Sequence, residues 1–289
     1  MNRQRIFWLL PMLTLALLLN GCIRTPHPII EKNTTASQQG TADAAPVFIY
    51  QSLNYAYQTD VSKALDAIVT NLDPAYLLLV NRDHLLDADY APQSLTELTC
   101  STHNDKKVTL ESRAAIALYA MLAEMTADGI TDVAVTSGYR TYEYQQQLHK
   151  QYLNKEKARI TPEAYECLGE EYIQTKYLDQ GLSRLSDEDA LKVVMSYSAL
   201  PGASEHQSGL CVDFVTSDAM LTQSFENTEA FDWLSQNAYR FGFILRYPED
   251  KTVITGFSYE PWHFRFVGRE AATELYFRCM TLEELSGLL

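Results

Sequence analysis

The residues able to do chemistry in this chain fall into two short segments. His206 and Asp213 stand seven residues apart in Ser204-Glu205-His206-Gln207-Ser208-Gly209-Leu210-Cys211-Val212-Asp213. His263 follows Glu260 in Tyr259-Glu260-Pro261-Trp262-His263-Phe264-Arg265-Phe266. Two imidazoles and one carboxylate are a standard three-ligand set for catalytic zinc, with a fourth position left to water. A further carboxylate that does not bind the metal is what such a site needs to carry protons, and Glu260 is the candidate. A histidine taken alone is more often structural or exposed, so His27, His84, His103 and His149 are set aside.

These side chains can meet only if the surrounding elements bring them together. Leu210, Val212 and Phe214 alternate with Cys211 and Asp213, which predicts a strand with the thiol and the carboxylate on one face. Gly209 permits a sharp turn ahead of that strand, so His206 approaches from a loop. Trp262, Phe264 and Phe266 alternate with His263 and Arg265, which sets His263 opposite three aromatic rings. A regular strand would place Glu260 on the same face as Trp262. For Glu260 to join His263, Pro261 must mark a bend. Further strands are expected at Tyr76–Val80, Val133–Thr136 and Phe243–Tyr247. Helices are expected over Val61–Asn71, over Leu110–Ala127 behind a Thr109 cap, over Tyr142–Lys157, and from Thr161-Pro162-Glu163 and Ser186. Thr228 opens one to Arg240 with Gly242 as its stop, and Thr281 with Glu284 forms a capping box. The strands are few, short and clustered late. Such irregular interleaving argues against a doubly wound sheet and for an α+β fold, a small antiparallel sheet flanked by helices.

Ser-x-His-x-x-Gly-x-x-x-Asp followed by Glu-x-x-His resembles the VanY-like family of D-alanyl-D-alanine carboxypeptidases, zinc peptidases of the M15B group. Ser137-Gly138-Tyr139-Arg140 with Gln145, Pro201-Gly202, Gly242 to Pro248, and Asp89-Tyr90-x-Pro92 match the same family. The resemblance spans roughly Tyr76 to Gly268 and implies a Hedgehog/DD-peptidase-like fold. It implies zinc on His206, Asp213 and His263, and Glu260 as base. Arg140 is implied to stabilise the oxyanion or hold the substrate carboxylate. Ser204, Gln145, Tyr142 and Trp262 are candidates for the substrate pocket, although packing explains each equally well. Cys211 departs from the small aliphatic residue usual there and is read as a packed thiol. The implied reaction is hydrolysis of the terminal D-Ala-D-Ala bond of peptidoglycan stem peptides. An L,D-carboxypeptidase or an endopeptidase on the same polymer would use the same site. A non-catalytic zinc-fold binding module would have no use for Glu260.

The N-terminus bears on where this chemistry happens. Arg3 and Arg5 precede an apolar run from Ile6 to Leu19, and Leu19-Asn20-Gly21-Cys22 closes it. A basic segment followed by a short apolar one reads as an export signal, too short to be a comfortable spanning helix. The Leu-x-Gly-Cys ending resembles a bacterial lipobox, with an uncleaved signal anchor as the alternative. The expected organisation is a signal peptide over 1–21, a flexible Thr/Ser/Ala/Gln-rich tether over 22–46 that begins at lipidated Cys22, and a catalytic domain over 47–289. An extracytoplasmic, membrane-anchored protein follows. The remaining Cys100, Cys167, Cys211 and Cys279 show no CxxC spacing, which disfavours a cysteine zinc site. With 289 residues, 46% of them hydrophobic, a full core is available. The net charge of −14 and the lack of a basic stripe exclude nucleic acid as a natural partner. A monomer is expected.

Overall fold

Aromatic residues on one face of a short sheet and chemistry on the other give this protein its centre. The computed structural model describes residues 55–69 and 73–287. The expected signal peptide, the tether with Cys22 and the first residues of the expected catalytic domain, 47–54, lie outside them, as does the predicted end of the first helix at 70–71. In chain order the elements are α1 (Asp60–Val69), β1 (Leu95–Glu97), β2 (Thr109–Glu111), α2 (Ser112–Ala127), β3 (Ala134–Ser137) and α3 (Tyr142–Ala158). Next come α4 (Pro162–Leu168), α5 (Glu170–Lys176), α6 (Asp187–Tyr197), β4 (Cys211–Val215) and α7 (Glu229–Asn237). The C-terminal elements are β5 (Phe243–Leu245), α8 (Thr252–Thr255), β6 (His263–Phe266), α9 (Arg269–Arg278) and α10 (Leu282–Ser286).

The main sheet has four strands in the order β3-β4-β6-β5, every neighbouring pair antiparallel. β1 and β2 form a separate antiparallel pair. The α+β architecture expected from the sequence is therefore the one observed. Alternation sorts the faces of β4 and β6 as the sequence pattern requires. Leu210, Val212, Phe214, Phe264 and Phe266 enter one core with Ala114, Leu118, Met121 and Met125 of α2. Those α2 positions recur at helical spacing and make the stripe that covers the sheet. Each fully buried Phe contributes on the order of 1.5–3 kcal/mol by leaving water, and an edge-to-face Phe214–Phe264 pair at 5.9 Å adds directional packing. The opposite face carries Cys211, Asp213, His263 and Arg265, all buried. In register, Asp213 lies across from His263 and Cys211 across from Arg265.

Two local expectations change. Tyr76–Val80 is not a strand: Asp73 caps a 3₁₀ turn over Pro74–Leu77, and the chain beyond it pairs with no strand. The Tyr76 and Leu78 carbonyls accept hydrogen bonds from the buried Arg265 guanidinium instead, at 3.1 and 2.7 Å. Thr109 does not cap a helix. It belongs to β2, its carbonyl accepts from Tyr139 N at 2.7 Å, and α2 starts at Ser112. The cap is Glu111, whose carboxylate accepts from the Arg113 and Ala114 amides. Five other helix starts agree with their caps: Thr141, Thr161, Ser186, Thr228 and Thr281 each accept a first-turn amide, and Thr281 with Glu284 closes a capping box.

The stretch between α3 and β4 is a helical cluster with its own small core of Ala164, Ile173, Tyr177, Leu185, Ala190 and Val193. Buried Asp189 ties it together, bonded to Lys176 at 2.7 Å and to the Tyr172 hydroxyl at 3.1 Å. This cluster forms one wall of the cavity described next.

Candidate active site

His206 sits in a 3₁₀ turn over Glu205–Ser208 that Gly209 ends with φ +68. A side chain at Gly209 would be strained at that φ, and its Cβ would lie 3.0 Å from Pro92 Cγ. The Asp89-Tyr90-x-Pro92 segment is wrapped over this turn, with Gln207 Nε2 donating to the Asp87 carbonyl at 2.8 Å. The ring of His206 is oriented by Gly138, whose carbonyl lies 2.6 Å from Nδ1. With Nδ1–H donating there, Nε2 is left as the free donor atom, and it lies 3.1 Å from Asp213 Oδ2. Gly138 packs against β2 with no room for a side chain: a Cβ there would stand 2.4 Å from Thr109 O.

Asp213 reaches both histidines. Its Oδ1 is 2.8 Å from His263 Nδ1, on the neighbouring strand. The two imidazoles meet edge to face at 5.1 Å between ring centres. Two histidines far apart in the chain thus place Nε2 of one ring and Nδ1 of the other against a single carboxylate. The expected bend at Pro261 is present: β6 begins only at His263, and His263 N donates to the Glu260 carbonyl at 3.2 Å. That turn brings Glu260 Oε2 to 3.9 Å from His263 Nδ1. Burial pushes the Glu260 carboxyl up to about 7, and Asp213 adds to the rise against the pull of His263, His206 and Arg140. Burial and Arg140 oppose a charge on His206, yet Asp213 and Cys211 outweigh them and raise it to about 9.

Arg140 follows β3 and points its guanidinium into the same place. Nη2 donates to Asp213 Oδ2 at 3.1 Å, Nε to Ser137 Oγ at 3.0 Å, and Nη1 to Gln145 Oε1 at 3.4 Å. Gln145 is itself anchored, its Nε2 donating to the Ala199 carbonyl at 2.8 Å. Gln145 is therefore placed to orient Arg140. Ser204, Gln145 and Trp262 line a cavity of about 660 Å³ whose floor holds His206, Asp213, Glu260 and His263. Tyr142 does not line it: at the start of α3 its ring lies beside Gly202.

One residue that the sequence left without a role stands directly behind the site. Glu205 is buried between two buried arginines, its Oε1 accepting from Arg246 Nε at 2.8 Å and Arg265 Nη1 at 2.7 Å. Burial alone would raise its carboxyl, and the two guanidiniums drive it well below the usual range instead. Its other oxygen, Oε2, faces His263 Nε2 at 3.6 Å, and both atoms are buried with no hydrogen-bond partner. A carboxylate behind a ligating imidazole fixes its tautomer and strengthens the donor on the far side. The signals were present: Glu205 adjoins His206, and Arg265 shares a strand face with His263. Their meaning depends on Arg246 arriving from another strand end.

The donor set suits a divalent cation. Each imidazole has one nitrogen turned toward Asp213 and its other nitrogen turned toward an oxygen behind it, the arrangement zinc-ligating histidines require. The thiol of Cys211 also lies close: donor atoms of His206, Cys211 and His263 are all within 4.8 Å of one another.

Comparison with known proteins agrees with this geometry. The family model for VanY, D-alanyl-D-alanine carboxypeptidase, matches residues 107–269. A D-alanyl-D-alanine carboxypeptidase of Enterococcus faecalis is 36% identical over 208 residues, which cover 72% of this chain and 64% of that protein's length. The LdcB LD-carboxypeptidase structure aligns with TM-score 0.57 at 30% identity, covering 74% of this chain and 87% of its own. A variant of the vancomycin-resistance D,D-pentapeptidase VanY in complex with Zn(II) aligns with TM-score 0.56 at 35% identity, covering 73% and 98%. The matched stretch holds Arg140, His206, Asp213, Glu260 and His263, and the chain belongs to the VanY family of D-alanyl-D-alanine carboxypeptidases.

Proposed function

We propose that this chain is a zinc-dependent carboxypeptidase that removes the terminal D-alanine from peptidoglycan stem peptides ending in D-Ala-D-Ala. The observation that carries this reading is the convergence of His206, Asp213 and His263, with Glu260 beside them, on the floor of a cavity large enough for a peptide end. Zinc held by His206 Nε2, Asp213 and His263 Nδ1 supplies a Lewis acid that polarises a carbonyl oxygen and acidifies water.

The remaining work belongs to the protein. Glu260 accepts the proton of the water that adds to the penultimate residue's carbonyl carbon. When the C–N bond breaks, Glu260 returns that proton to the departing amine. Arg140 provides a fixed positive charge for the oxygen that becomes negative, a term of roughly 3–4 kcal/mol where a comparable donor has been removed from other enzymes. Ser137, Gln145 and Asp213 hold that charge in place before substrate arrives. The Glu205 clasp keeps His263 in its ligating orientation.

The test is mass analysis of a defined pentapeptide stem before and after incubation, with and without a chelator. Loss of one D-alanine, abolished by the chelator and restored by zinc, is the expected result. No release from any stem peptide by the zinc-loaded protein would end this reading. The likeness to LdcB supports an L,D-carboxypeptidase as the second reading. A tetrapeptide stem incubated in parallel separates the two by which substrate is shortened.

The N-terminal pattern supports export and a lipid on Cys22, with a monomeric catalytic domain held outside the membrane. Labelling with a radioactive fatty acid that follows the wild type but not Cys22→Ala is the expected outcome.

A further inference from the structure

Cys211 is a donor near the metal site that the reaction above does not use. It is fully buried on β4, two residues before Asp213 and therefore on the same strand face. Its sulfur belongs to a cluster whose donor atoms, one each from His206, Cys211 and His263, lie within 4.8 Å of one another. The lining of the substrate cavity includes both histidines and Asp213 but not Cys211. The thiol thus approaches the imidazoles from the sheet side, away from where a peptide would enter. Strand parity in the sequence reads it as a packed side chain, but an apolar neighbourhood is not what it meets. Across the strand pair stands Arg265, and the two imidazoles lie within reach of the Cys211 sulfur.

We propose that Cys211 is an additional ligand of this metal centre, binding the cation as a thiolate from the sheet side, with nitrogen, oxygen and sulfur donors in an expanded five-coordinate set that keeps the cavity-side position open for water. This rests on the zinc-site reading above. On coordination the S–H bond is exchanged for a sulfur–metal bond, and the proton leaves to solvent. A soft donor changes what the centre prefers: thiolates favour zinc and heavier thiophilic cations over hard ones. The centre therefore holds cadmium against zinc more strongly than the same site without sulfur.

Cobalt(II) added to the metal-free full-length protein reads this directly. The wild type is expected to show both the visible bands of bound cobalt and a sulfur-to-cobalt charge-transfer band in the near ultraviolet. Cys211→Ala and Cys211→Ser, each checked for unchanged circular dichroism, are expected to keep the visible bands and lose the charge-transfer band. In competition, both variants should lose part of the wild type's preference for cadmium over zinc. Cobalt bound by the wild type without the charge-transfer band overturns the proposal and leaves the zinc site standing. No cobalt or zinc bound by the wild type overturns both.

Discussion

Glu260 and His263 are neighbours in space and differ in their proposed tasks, and that difference is measurable. Glu260→Ala removes the proton carrier and no ligand, so the variant is expected to hold stoichiometric zinc while D-alanine release falls by about 10²–10⁴. His263→Ala removes a ligand and is expected to purify without metal. Metal analysis beside peptide mass analysis checks both. The pH profile follows from Glu260 as well. It works as a carboxylate, and burial raises its pKa to about 7, so kcat/KM falls as pH drops through that pKa. A bound divalent cation adds positive charge beside it and draws this acid limb below 7. A rate measured across pH 4.5 to 8 that rises toward acid would contradict the assignment. Glu205 acts one step removed. Glu205→Gln leaves the ligands untouched but deprives His263 Nε2 of its carboxylate, and zinc affinity is expected to fall roughly 10–100-fold. Competition with a chromogenic chelator measures it.

At the level of elements, the site is a junction of one turn, two central strands and a bend. β4 and β6 are antiparallel neighbours in a register that sets Asp213 against His263, and a slip of one residue would turn both to the aromatic core. The turn over Glu205–Ser208 then needs Gly209 at φ +68 under Pro92. Gly209→Ala is expected to cost about 1–3 kcal/mol of stability and to weaken zinc retention, because relief of the strain moves His206. Thermal melts paired with metal analysis test this. A variant with wild-type melting and wild-type zinc content would show that the turn tolerates a side chain. The helical cluster of α4, α5 and α6 contributes no metal ligand. Its place beside the cavity, with Pro162 and Glu163 in the lining, makes it the wall against which the distal part of a stem peptide would lie.

For the molecule as a whole, metal binding and fold stability are expected to be linked. A cation that binds only the folded state stabilises it by about 2.7 kcal/mol at a hundredfold excess over its dissociation constant. For a domain of this size that is roughly 5–10 °C in Tm. A chelator is expected to lower Tm by that order, zinc to restore it, and His263→Ala to show neither shift. The buried clasp of Glu205 with Arg246 and Arg265 contains no metal and should persist in the chelated protein. Chelation is therefore expected to loosen the site without unfolding the domain, which circular dichroism below the transition can verify.

The sequence by itself determined the candidate ligand types, their spacing, the parity that sets Asp213 and His263 on buried polar strand faces, and the bend required at Pro261. Those features are local: alternation, a turn glycine and a proline act within a few residues. Helix caps such as Thr281 with Glu284 were legible for the same reason. Only the tertiary structure decided what depended on distant partners. Tyr76–Val80 looked like a strand, yet its carbonyls are claimed by Arg265, a choice no local pattern records. Thr109 looked like a cap, and pairing with β1 made it a strand residue. Tyr142 was placed away from the cavity, Glu205 was placed behind His263, and Cys211 was set among the imidazoles. Each of these outcomes arises from long-range packing of charged or polar groups that must find partners once buried, and that requirement is met across the fold rather than along the chain.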